Sequence, residues 1–164
     1  MKFDITKIAN AILFMLENKV THLNDKKLCS LLFLAEYNHL QTYEDKIFGE
    51  TFTKGKRAPE AKTMGDIFHI IANNLDLEDE DERLYLITEL LDFLDIEILE
   101  KEKFNELNFI KMEEEYDPSL FSKKEIKTLE SLVEKYKTET PRKVANATFA
   151  KEKVREAALG EVII

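Results

Sequence analysis

The stretch Lys27-Leu28-Cys29-Ser30-Leu31-Leu32-Phe33-Leu34-Ala35 constrains the fold more than any other part of the chain. Leu28, Leu31, Leu32, Ala35 and His39 recur at helical spacing and form one stripe. Asn24 stands at the N-cap position, and Leu23 and Leu28 are placed as a hydrophobic staple across it. Phe33 and Leu34 lie off the stripe. A helix that is apolar on more than one side has to be buried between neighbours. The segment from about Asp25 to Leu40 is therefore predicted to be a core helix.

The remaining chain must supply those neighbours. With 164 residues it suits one domain, 1–164, and buries roughly 70% of the surface its unfolded form exposes. Hydrophobic residues make up 44% and charged residues 35%, with only 4 Gly and 3 Pro. That mixture excludes a disordered chain and favours helices. No apolar run approaches membrane-spanning length, and the N-terminal stretch lacks the basic and apolar regions of a secretory signal. A lone Cys29 excludes an internal disulfide framework and fits a reducing, cytoplasmic setting. The net charge of −9 disfavours nucleic acid and suits a basic protein partner.

The spacing predicts a first helix over about Asp4 to Asn18, with Ile5, Ile8, Ala9, Ile12, Leu13 and Leu16 as its stripe. Between Tyr43 and Arg57 the helical period fails, and Ile47, Phe48, Phe52 and two Gly suggest a turn and a short strand. Pro59 suits the first position of a third helix running to about Asn73. The carboxylates Glu78 to Glu82 read as the start of a fourth, because they complement a helix N-terminal dipole. Ile96, Ile98 and Phe109-Ile110 are candidates for short strands pairing with Thr51–Lys54, or the fourth helix continues through Leu99. Ser122-Lys123-Lys124-Glu125 is a capping box with Phe121 and Ile126 as its staple. Thr140 caps a last helix, with Pro141 first and Gly160 ending it. The expected architecture is mainly α: a compact bundle of five or six helices with a small antiparallel β element.

No catalytic pattern stands out. Gly49 to Arg57 superficially resembles a phosphate-binding loop, but five residues separate the glycines instead of four and Arg57 replaces the hydroxyl that holds magnesium. His22, His39 and His69 share no helical i, i+4 spacing, so no metal or cofactor is expected. His39, beside the core stripe, is expected to bond a backbone carbonyl. Cys29 neighbours a Leu-rich interior, where a thiol is inert. The remaining candidate is a protein-binding surface over Thr51 to Arg57: Phe52, Lys54, Lys56, Arg57 and Pro59 around an expected exposed edge strand. The apolar tail Val162-Ile163-Ile164 is expected to pack on the core or on a subunit.

Several segments, in order, resemble the Panacea domain family, the SocA-like antitoxins of phages and mobile elements. Lys27, Leu28, Leu31, Leu32, Ala35 and His39 match its early helix signature. Ile8 to Leu13 resembles its opening helix, Ile47 to Lys54 its Gly-containing segment, and Asp117 to Glu125 its Pro-to-capping-box approach to a helix. Two departures stand out. Pro59 is kept while the Gly before it is lost, and the usual Ser-His-Glu and Trp are missing from Asn146 to Arg155. The resemblance implies an antitoxin that neutralises a cognate protein toxin by stoichiometric binding, without enzymatic turnover. In SocA-like members the antitoxin can also deliver the toxin to a protease. Two other classes remain open on the residues alone. A DNA-binding regulator from a mobile element would use Thr140 to Arg155, and a small helical enzyme would need a pocket of convergent polar groups.

Overall fold

The computed structural model describes residues 2–164. The first helix, α1 (Ile5–Glu17), starts where Asp4 accepts the amide of Lys7. Every side chain from Ile8 to Met15 is buried, so α1 is a central helix rather than one with a single inward stripe. The second, α2 (Asp25–Tyr43), is capped by Asn24 as its sequence indicates. Phe33 and Leu34 are fully buried. The stretch apolar on several sides is indeed enclosed: α2 packs on α5 (Lys123–Tyr136) and α6 (Pro141–Thr148), while α3 (Lys62–Ala72) also touches it.

The third helix departs from expectation. Pro59 does not open it. Phe52–Thr53 (β1) and Glu60–Ala61 (β2) pair instead as a short antiparallel hairpin, and α3 begins at Lys62. The N-cap Ala61 has no side-chain acceptor; a carboxylate from outside the helix supplies one, as described below. The acidic run is also shifted: α4 (Glu82–Leu91) starts at the end of it, with Asp81 capping the amide of Arg83. The Arg83 guanidinium bonds Asp81 and reaches Asp66 on α3 at 3.2 Å.

Leu94–Glu100 (β3) and Asn105–Lys111 (β4) form a seven-residue antiparallel ladder with each other, not with Thr51–Lys54. The hairpin turns through Glu102-Lys103, a loop without Gly or Asn, which hid the pairing. β4 is the inner strand, touching α1, α2 and α3. The last predicted helix breaks in two, α6 and α7 (Glu152–Glu156). Arg155 causes the break to be satisfied: its Nη1 donates to the carbonyls of Phe149 and Ala150 at 3.0 and 2.8 Å. Among the described residues, seven α-helices and two small sheets thus make a mainly α fold around one continuous apolar core. The capping box of Ser122 and Glu125 is present in full.

Candidate partner-binding surface

The loop between α2 and β1 is held by buried charge. Glu36, inside α2, accepts the amides of Ile47 and Phe48 on Oε1 (2.6 and 2.9 Å) and that of Glu50 on Oε2 (3.0 Å). Burial pushes its carboxyl above the ordinary range, and the three amides oppose that rise. Glu50, itself buried, accepts Thr51 and Thr63 amides on Oε1 and the Met64 amide on Oε2 at 2.8 Å. It therefore caps α3 from outside the helix. Lys46 closes the loop by donating to the Glu50 carbonyl at 2.8 Å. Gly49 sits at φ +75 with the Lys2 carbonyl oxygen 2.5 Å from where a Cβ would stand, so only glycine fits there.

The loop delivers the segment nominated as a partner surface, and its residues divide. Phe52 is fully buried, edge-on to Phe33. Pro59 is buried as well. Lys54 is tied down: its Nζ donates to the Val154 carbonyl and lies 5.2 Å from the Phe149 ring centroid. Lys56 and Arg57 are exposed at the hairpin tip. The expected open edge of β1 is not open. Phe52 N–H donates to Ile164 O, Ile163 N–H to Phe52 O, and Lys54 N–H to Glu161 O, each at 2.8 Å. The C-terminal segment fills that edge as an added strand, and Ile163 and Ile164 are buried under it.

Three residues singled out in the sequence turn out to be scaffold. Lys27 has no exposed surface, and its Nζ donates to the carbonyls of Thr21 (2.6 Å), Lys137 (3.3 Å) and Glu139 (2.6 Å). Nothing in the local sequence marks this burial, because a Lys in the first turn of a helix is ordinarily solvated. Burial pushes the Cys29 thiol well above its usual range, with Asp25 and Glu50 adding to the effect. His39 bonds the Thr128 hydroxyl at 2.8 Å rather than a backbone carbonyl. That hydroxyl already donates to Lys124 O, so Nδ1 carries the proton and donates to it.

Burial lowers the His39 pKa; Glu125 and Asp45 oppose this, and Lys7 and Lys124 reinforce it. The unfolded chain then protonates first, so the stabilising effect is complete above about pH 6.5 and is lost as pH falls toward the lower native value. Urea unfolding at pH 7.5 and 5 should show this loss in the wild type and a smaller one in His39→Gln. Equal losses in the two proteins would remove His39 as the cause.

No group of three metal-ligating side chains converges among the described residues. A cleft of ≈ 220 Å³ between α2 and α5 is lined by Tyr43, Lys127, Thr128, Ser131, Lys135 and Tyr136 among others. The Thr140–Arg155 segment is two helices of 8 and 5 residues, not one continuous recognition helix. Charge is unevenly placed along the chain. Residues 75–120, which hold α4 and the β3–β4 hairpin, carry seventeen Asp and Glu against four Lys and Arg.

Residues 28–153 match the family model described as antitoxin SocA-like, Panacea domain, and the chain belongs to that family. It matches no curated protein, and no solved structure. No helix among the described residues is long and apolar enough to cross a membrane.

Proposed function

We propose that this chain neutralises a cognate protein toxin by binding it stoichiometrically in the cytosol, without turnover. The family match over residues 28–153 carries the reading. The fold suits it: buried Glu36, Glu50 and Lys27 hold loops in place, so a surface is preorganised before a partner arrives. Of the five residues first nominated, Lys56 and Arg57 are the two free to meet a partner's carboxylates. Phe52, Lys54 and Pro59 then serve as the base that fixes the tip.

Co-expression with the product of the adjacent gene tests the reading. That product should arrest growth alone, growth should return with this chain, and the two should co-purify in equal amounts. Reversing the tip with Lys56→Glu and Arg57→Glu should weaken the complex about tenfold. Disappearance of the toxin only in a protease-proficient host would mark delivery to a protease in place of simple blocking. A neighbour that is harmless alone and does not bind overturns the proposal.

A further inference from the structure

The β3–β4 sheet has two strands, and nothing pairs with the far side of β3 among the described residues. The phase of the ladder tells which groups face that side. Lys101 N–H donates to Phe104 O at 2.9 Å, so 101/104 is a hydrogen-bonded pair, and such pairs alternate along an antiparallel ladder. Residues 95, 97 and 99 therefore bond β4, while the amides and carbonyls of Leu94, Ile96, Ile98 and Glu100 point outward. Two bonds agree with this phase. Leu107 N–H, facing away from β3, donates to Asp25 at 3.1 Å. Ile96 N–H, facing outward, finds only its neighbour's carboxylate, Asp95 Oδ1 at 2.9 Å.

Open edges are normally guarded by charged side chains, Pro or a bulge, and the guard chosen decides which strands are refused. β3 has no Pro and no Lys, and its guards are all of one sign, Asp95, Glu97 and Glu100, which refuse acidic strands and admit basic ones. A second copy is a poor occupant, because β3 beside β3 places carboxylates next to carboxylates. A basic strand is a good one. Asp95 and Glu97 lie on the outer face, while Ile96 and Ile98 share the core face with Phe109 and Leu107, and Ile98 is 42% exposed. At the Leu94 end the edge meets a cleft of ≈ 310 Å³ where Leu91 and Met112 adjoin Asp92, Glu113 and Glu114. The carboxylate excess of residues 75–120 steers cationic partners to this end.

We propose that the outer edge of β3 docks an extended basic segment of the protein that this chain neutralises, taken up as a third strand. The segment alternates cationic side chains, beside Asp95 and Glu97, with apolar ones over Ile96 and Ile98. This rests on the antitoxin reading for the identity of the partner, but the edge can be tested without it.

The probe is an end-blocked octapeptide of alternating Lys and Val, with a Glu–Val peptide as control. The Lys peptide should bind in low salt, weaken as salt rises, and slow hydrogen exchange at the amides of Ile96, Ile98 and Glu100. Two variants with unchanged thermal unfolding should each weaken it at least tenfold. Ile98→Pro removes an outward amide and is tolerated at an edge; Asp95→Lys with Glu97→Lys reverses the charge. Binding that ignores Ile98→Pro, or that leaves those amides unprotected, overturns strand addition, as does absence of binding. Growth rescue separates the two readings. If the wild type and both variants rescue equally, the edge proposal fails and the antitoxin reading stands. If the wild type fails to rescue while the peptide behaves as expected, the antitoxin reading fails and the edge stands.

Discussion

Lys27→Met is expected to lower the unfolding free energy by about 3 kcal/mol, a fall of roughly 6–12 °C in Tm for a chain of this size. The stem of Met is close in length to that of Lys, so packing along α2 is largely kept. What is lost is a charged donor shared by three carbonyls: Lys137 O keeps the Thr21 amide, while Thr21 O and Glu139 O lose charge-assisted bonds of 2.6 Å, a class of bond worth about 1.5–3 kcal/mol each. Those carbonyls belong to two separate turns. Thr21 lies between α1 and α2, and Lys137 and Glu139 lie between α5 and α6. Thr21 N–H also donates to Lys137 O at 2.9 Å. The ammonium therefore ties two loops to the first turn of α2.

Burial pulls the Lys27 pKa down, with Glu139 opposing, and the direct partners of its Nζ are three carbonyl oxygens. Lys27→Arg should fail to rescue, because a planar fork cannot meet three carbonyls gathered around one nitrogen. Thermal unfolding of both variants is the measurement. A change of less than about 1 °C in Lys27→Met would show that water replaces the ammonium at little cost.

Much of the fold was legible because the signals were local. Asn24, Ser122 with Glu125 and Thr140 all cap the helices they announce, since a cap involves only neighbouring residues. Two failures share one cause, a partner distant in sequence. Pro59 looks like a helix start because nothing nearby shows that Glu50 caps α3 two positions past Ala61. Thr51–Lys54 looks like an open edge because the strand that fills it comes from Glu161–Ile164. β3 and β4 were visible as apolar fragments, but their mutual register depends on a turn with no turn residue. The basic segment stands out in an acidic chain, yet two of its five residues are buried, while the longer unpaired edge of β3 lies in a run too acidic to stand out.

Glu50→Gln should have an effect as large as that at Lys27, about 3 kcal/mol, and a more local signature. The carboxylate accepts three amides, two of them at the N-terminal turn of α3, where negative charge is favoured by the helix dipole. An amide side chain of the same size keeps one acceptor and turns an NH₂ toward a second amide. A lost charge-assisted cap is worth about 0.5–2 kcal/mol, and the buried donor left facing another donor adds about 1–3 kcal/mol. Hydrogen exchange should speed up first at Thr63 and Met64, before global unfolding. Because Glu36 holds the Glu50 amide at 3.0 Å, Glu36→Gln and Glu50→Gln should not add; the double variant should lose less than the sum. The loosening should also reach Ile163, whose amide donates to Phe52 O in the strand that follows Glu50. Faster exchange at Thr63 and Met64 with Ile163 unchanged would show that the C-terminal strand is held by its own apolar burial, independently of the loop that carries Glu50.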